Sequence, residues 1–199
     1  MVRLAVFSSH NGSNLQAIID AAAVGRMPAA VALVISNNPD SFSLERARRA
    51  GIPAICLNSG MHGRLLGEKM LEALSAHGVD LVFLAGYLKK MPGKVMDAYS
   101  GRMFNIHPSL LPRHGGKGMH GLNVHRAVLA AGDAETGATV HSVSGDYDTG
   151  EVLAQTRVRV LAGDTPETLA KRVLAAEHAL VVETLAEIAR KMCAKANGK

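Results

Sequence analysis

Short aliphatic runs alternate with amphipathic stretches through the first 85 residues. The runs Arg3–Phe7, Val31–Ile35, Ala54–Leu57 and Leu81–Ala85 have strand length and little internal polarity. Strands of this kind are buried on both faces, as in a parallel sheet covered by helices. Between them, Asn14–Val24 places Leu15, Ile18, Ile19 and Ala22 on one side. Arg64–His77 does the same with Leu65, Leu66, Met70, Leu71 and Leu74, and Ser43–Ala50 is a shorter helix stopped by Gly51-Ile52-Pro53. Period-3.6 stripes between buried runs predict right-handed βαβ units. The fold class that follows is α/β, with a Rossmann-like, mostly parallel twisted sheet and helices on both faces. Ligands in such sheets bind at the carboxyl ends of the strands. Those ends lie here at Ser8–Asn14, Ser36–Phe42, Asn58–Gly63 and Gly86–Met91.

The pattern changes in the second half. Met103–Ile106 and Ala138–Val143 read as strands, while Val152–Val160 alternates strictly and predicts an antiparallel or edge strand. Gly115–Gly121 holds four glycines in seven residues and predicts a flexible loop. Asp164-Thr165-Pro166-Glu167 opens a long C-terminal helix, Thr165–Met192, with a capping residue and an early proline. Ala194–Lys199 is expected to fray. With no repeat and no linker-like stretch, residues 1–199 are expected to form one domain. Its nucleotide-binding-like half would be 1–85, its catalytic half 86–192 and its tail 193–199.

Composition narrows the function. Of 199 residues, 48% are hydrophobic and 20% charged, a balance that excludes wholesale disorder. Only 4% are aromatic and there is no Trp, so modules that stack bases on aromatic platforms are disfavoured. Two cysteines without a CxxC exclude a disulfide framework and a Cys-based zinc site. No run is long enough for a bilayer, and the N-terminus lacks the plan of a signal peptide, so a cytoplasmic location is expected. The net charge of +5 is local. Lys89, Lys90, Lys94, Arg102, Arg113, Lys117 and Arg126 with the single acid Asp97 give that stretch +6 and leave −1 elsewhere. An anionic ligand near this segment is one reading and a solvated basic face is the other.

Three polar segments carry candidate chemistry. Ser8-Ser9-His10-Asn11-Gly12-Ser13-Asn14 leads from a strand directly into a helix, whose free N–H groups favour an anion such as phosphate. It is neither a GxGxxG nor a Walker loop. Asn105 and His107 stand two apart on a strand, hence on one face, and Pro108 turns the chain beyond them. An amide donor beside an imidazole suits a developing oxyanion and a moving proton. His141 to Gly150 forms a polar link between strands, offering Asp146 or Asp148 as a carboxylate partner that would raise the pKa of His107. Five histidines between positions 107 and 141 fit no zinc spacing, so no metal is expected.

Asn105-x-His107-Pro108-Ser109-Leu110-Leu111-Pro112, with Asp148 before Gly150, resembles the signature of the folate-dependent formyltransferases. Ser9–Ile18, Leu84-Ala85-Gly86-Tyr87, Gly137–His141 and Glu177-His178 extend the resemblance over nearly the whole chain. The resemblance implies transfer of the formyl group of 10-formyltetrahydrofolate, a co-substrate, to the amine of phosphoribosylglycinamide, a step of purine synthesis. Asn105 would hold the oxyanion. His107, kept protonated by Asp148, would stabilise it and pass the proton on. No metal would be needed. The resemblance further implies that Gly12, Ser13, Asn14, Gly86 and Glu177 bind the phosphate and ribose. Folate would lie against Leu84, Leu88, Lys89, Met91, Met96, Met103, Val143, Ser144, Gly145, Asp146 and Tyr147, with Arg64 and Lys89 near its glutamate carboxylates. Partners would be these small molecules, with no nucleic acid or membrane, and the chain would be a monomer or homodimer.

His10, Lys90, the glycine-rich Gly115–Gly121 segment and Thr149 depart from the family's usual residues. A deformylase-like hydrolase using water as acceptor, and a non-catalytic folate- or nucleotide-binding protein, are the alternatives on the same scaffold.

Overall fold

The computed structural model describes residues 1–197. Seven strands form one sheet: β1 (Val2–Phe7), β2 (Ala29–Ser36), β3 (Ala54–Cys56), β4 (Leu81–Leu84), β5 (Met103–His107), β6 (Glu135–Ser142) and β7 (Val152–Arg159). Their order is β3-β2-β1-β4-β5-β6-β7. The first five run parallel, while β6 and β7 are antiparallel. The helices are α1 (Ser13–Ala23), α2 (Phe42–Arg49), α3 (Ser59–His62), α4 (Leu66–Ala76), α5 (Gly93–Ala98), α6 (Leu122–Ala130) and α7 (Pro166–Asn197).

Two aliphatic layers sandwich the sheet, and the period of two along each strand assigns side chains to one or the other. On β1, Leu4 and Val6 join the layer under α1, α2 and α7, whereas Ala5 and Phe7 join the layer under α4 and α5. On β5, Phe104 and Ile106 face the first layer. Met103 faces the second, and Asn105 and His107 follow it on that side. The strand order reverses between β1 and β4, because β2 and β3 lie on one side of β1 and β4 to β7 on the other. That switch point opens a crevice at the carboxyl ends of the strands.

Ser9, in the loop after β1, is 1% exposed. Its hydroxyl donates to Asn37 Oδ1 (2.6 Å) and accepts from the N–H of Leu88 (2.8 Å), joining the loops after β1, β2 and β4. Gly12 takes a left-handed φ of 69° at the cap of α1, and a Cβ there would sit 2.7 Å from Ser43 Cβ. A glycine is therefore required for packing against α2 as well as for the turn.

Several elements differ from the sequence expectation. The stretch Asn58–Gly63 is not open loop. Asn58 accepts from the N–H of Met61 (2.9 Å) and caps α3, which a 3₁₀ turn at Gly63–Leu65 links to α4. Helix α5 begins after Pro92, and α6 follows the glycine-rich loop; both lie where no element was expected. The C-terminal helix continues past Met192, so Ala194 to Asn197 are helical rather than frayed. Residues 198–199 of the expected tail lie outside the described residues.

Candidate active site

Asn105, His107 and Asp148 converge on a cavity of about 640 Å³ at the crevice. A volume of this order suits a cofactor-sized ligand. β5 delivers the first two. The third comes from the loop between β6 and β7, where Asp148 adopts a left-handed φ of 57°. This φ is uncommon for a residue with a Cβ, and it occurs at a turn that directs the carboxylate inward. Gly150 makes the turn possible: a Cβ there would lie 1.7 Å from the carbonyl oxygen of Ser142.

The polar contacts define each group's role. Asp148 Oδ2 lies 3.4 Å from Nδ1 of His107 and accepts from the N–H of Gly116 (2.9 Å). Its Oδ1 lies 3.5 Å from Nε2 of His141. Burial alone would raise this carboxyl, but His141, His107 and the Gly116 N–H outweigh it and hold it below the usual carboxylate range. His107 Nε2–H donates to the carbonyl of His114 (2.9 Å). Burial is the larger influence on His107 and lowers its pKa, although Asp148 and the His114 carbonyl both raise it. Asp148 thus acts toward the protonated imidazole, against the larger influence of burial. At 3.4 Å the contact is long for a hydrogen bond and acts by charge.

His141 was noted in the sequence without a role. Its Nδ1–H donates to the carbonyl of Ser142 (2.8 Å), so Nε2 is left to accept from Asn105 Nδ2 (3.0 Å). Buried His125 has no partner for its Nδ1, and burial and then the nearby His107 lower its pKa.

Beyond the trio, the cavity wall includes Leu84, Leu88, Lys89, Met91, Met96, Val143, Gly145, Asp146 and Tyr147. It also includes Asn14, Gly86 and Glu177 from the expected acceptor group. Gly12, Ser13, Arg64, Met103 and Ser144 do not line it. Met103 is 1% exposed and belongs to the core layer beneath. Arg64 sits on the exposed 3₁₀ turn. Asn14 Nδ2 donates to Glu177 Oε2 (2.6 Å), leaving the buried Asn14 Oδ1 without a partner. Burial pushes the Glu177 carboxyl up to about 7, with the Asn14 contact acting against it.

The glycine-rich loop was legible only as a loop, yet Gly116 to Gly121 form one wall of the cavity. Of the seven basic residues between 89 and 126, only Lys89, Lys90 and Lys117 line it. Lys90 pairs with Asp146 (3.2 Å). Lys94 pairs with Glu68 and Arg113 with Asp133, while Arg102 donates to the carbonyls of Asp80 and Ala98. The local positive charge is thus divided between the cavity and structural contacts.

Residues 2–185 match the formyl transferase family. The chain belongs to that family. It is 44% identical over 94% of its length to the chloroplastic phosphoribosylglycinamide formyltransferase of Arabidopsis thaliana, and spans 65% of that protein, less than two thirds of its length. Against the phosphoribosylglycinamide formyltransferase of Escherichia coli the identity is 40%, covering 90% of this chain and 83% of the other. The solved structure of glycinamide ribonucleotide transformylase 1 from Symbiobacterium toebii superposes with a TM-score of 0.90 at 42% identity, covering 96% of this chain and 89% of that one. Among the described residues, no helix of this formyl transferase is long and apolar enough to cross a membrane.

Proposed function

We propose that this chain transfers the formyl group of 10-formyltetrahydrofolate to the amine of phosphoribosylglycinamide. The observation that carries the reading is the convergence of Asn105, His107 and Asp148 on one cavity whose two ends differ in chemistry. One end is the methionine- and valine-lined wall of Met91, Met96 and Val143, suited to a flat pterin. The other is bounded by Asn14, Gly86 and Glu177. There α1 has no side-chain cap, and its first backbone bond runs from Gln16 N–H to Gly12 O. The N–H groups of Ser13 to Leu15 are therefore available to a phosphate. The names of the relatives support this pairing of substrates. Free helix-end N–H groups next to Asn14, which lines the same cavity as the trio, would suit a phosphorylated amine better than water as acceptor.

In this reading the acceptor nitrogen attacks the formyl carbon, and the carbonyl electron pair moves onto oxygen. One Asn105 N–H is held by His141, and the other meets the oxyanion. His107, its Nδ1 toward Asp148, relays the proton lost by the attacking nitrogen toward the leaving nitrogen through Nε2, and Asp148 stabilises the ring while it carries both protons. Collapse of the tetrahedral centre breaks the bond to N10 of the folate, which takes that proton. His107 reaches the reacting atoms by exchanging the His114 carbonyl for substrate.

The test is turnover of 10-formyltetrahydrofolate with and without phosphoribosylglycinamide. Acceptor-dependent turnover supports the reading; equal turnover in its absence assigns the site to hydrolysis, and folate binding without turnover to a binding protein.

A further inference from the structure

Of the histidines in and around the trio, three are tied through their rings. His107 Nε2 bonds the carbonyl of His114 (2.9 Å), and His114 Nε2 lies 2.7 Å from Asp133 Oδ2. His141 bonds the carbonyl of Ser142 (2.8 Å) and Asn105 Nδ2 (3.0 Å). His125 is the exception. It is 4% exposed, its ring makes no hydrogen bond among the described residues, and its shielded Nδ1 has no partner. A polar ring withdrawn from water without a partner destabilises the fold, so its presence points to a role outside folding.

The placement of the ring shows what it meets. Leu122 and His125, one turn apart, are the residues of α6 that line the cavity. The next turn packs inward, with Val128 against Val158 of β7 and against Leu169 and Val173 of α7. These contacts fix α6 on α7, whose Ala170, Leu174 and Glu177 line the same cavity at its acceptor end. Burial and then the neighbouring His107 lower the pKa of His125, so the ring is neutral at pH 7. A shielded lone pair at Nδ1 is tolerated more readily than a shielded N–H, which places the one ring proton on Nε2. The side chain is thus a neutral N–H donor in the cavity wall, close to the group that serves the acceptor amine.

We propose that His125 binds the acceptor by donating its Nε2–H to the carbonyl oxygen of the glycinamide. This rests on the reading of the acceptor as phosphoribosylglycinamide. The ring neighbours His107, which takes the amine proton, and the carbonyl is the acceptor oxygen nearest that amine. Being neutral, His125 does not oppose the positive charge that His107 gains during proton transfer. The contact makes the site selective for an amine that carries an adjacent carbonyl.

The experiment titrates wild type, His125→Leu and His125→Gln calorimetrically with phosphoribosylglycinamide and with its thioamide analogue, whose sulfur is a weak acceptor. His125→Leu removes the donor at similar volume and should bind phosphoribosylglycinamide roughly 10- to 100-fold more weakly. His125→Gln, which keeps an amide N–H, should restore most of the loss. Wild type should prefer the amide to the thioamide, and His125→Leu should lose that preference. In steady state the KM of phosphoribosylglycinamide should rise in His125→Leu while that of the folate stays fixed. Because the ring has no partner within the protein, His125→Leu should melt no lower than wild type. Equal affinity of wild type and His125→Leu for phosphoribosylglycinamide overturns the proposal, as does an unchanged preference for the amide in His125→Leu. A lower Tm with parallel loss of folate affinity overturns it in favour of a folding role, and a fall in kcat at constant acceptor KM in favour of proton transfer. A wild type that binds phosphoribosylglycinamide through His125 yet does not formylate it leaves the contact standing and removes the transfer reaction proposed above.

Discussion

Nδ2 of Asn105 lies 3.0 Å from Nε2 of His141, whose other ring nitrogen is tied to the carbonyl of Ser142. The histidine fixes which way the amide faces, so one of its two N–H bonds points to a constant position. Removing the amide donor while keeping its shape, as in Asn105→Asp, should lower kcat roughly 10²- to 10³-fold, the scale for loss of one oxyanion donor. Folate affinity, measured by fluorescence or calorimetry, should change little. A loss confined to binding would contradict the oxyanion role.

Asp148 acts on His107 by charge across 3.4 Å. Burial lowers the His107 pKa and this carboxylate partly restores it. In Asp148→Asn the pKa should fall further, moving the acid limb of kcat/KM to lower pH. The imidazolium formed during proton transfer also loses its partner, and kcat should drop roughly 10²- to 10⁴-fold with KM nearly constant. A pH–rate series checks both. Unchanged turnover at pH 7 would contradict the role.

Glu177 reads out burial directly. Its carboxyl is pushed from 4.5 up to about 7, so the folded state binds the proton more tightly than the unfolded chain. Stability from this group is complete below the unfolded pKa and is lost as pH rises through about 7. Glu177→Gln should therefore be more stable than wild type at pH 8, by on the order of 3 kcal/mol at most. The advantage should vanish below pH 4.5. Thermal unfolding of the two proteins across this range is the check.

Gly150 leaves no space for a side chain, since a Cβ there would sit 1.7 Å from the Ser142 oxygen. Gly150→Ala should displace the loop that carries Asp148. It should cost about 2 kcal/mol in denaturant unfolding and lower kcat more than it alters folate binding.

What the sequence disclosed follows from periodicity. The parallel strands were legible as unbroken aliphatic runs, and β7 as an alternating one whose inward set ends in buried Val158. Asn105 and His107 were legible because a period of two places them on one face. Helix α6 was missed because it is only nine residues long and follows directly on a glycine-rich loop. Asp148 and Asp146 are equivalent as pattern, and conformation separates them. Asp146 points to solvent and meets Lys90, while the left-handed backbone of Asp148 turns it toward two buried histidines. Met103 shows the converse. The resemblance puts it against the folate, but it lies one layer deeper, a distinction that burial makes and sequence does not.

Direct transfer between two bound substrates is tested most sharply by following a labelled formyl carbon. With ¹³C-formyl tetrahydrofolate and phosphoribosylglycinamide together, the label should move into the acceptor amide, one equivalent for each tetrahydrofolate released. Release of labelled formate in place of the formylated acceptor would contradict the account.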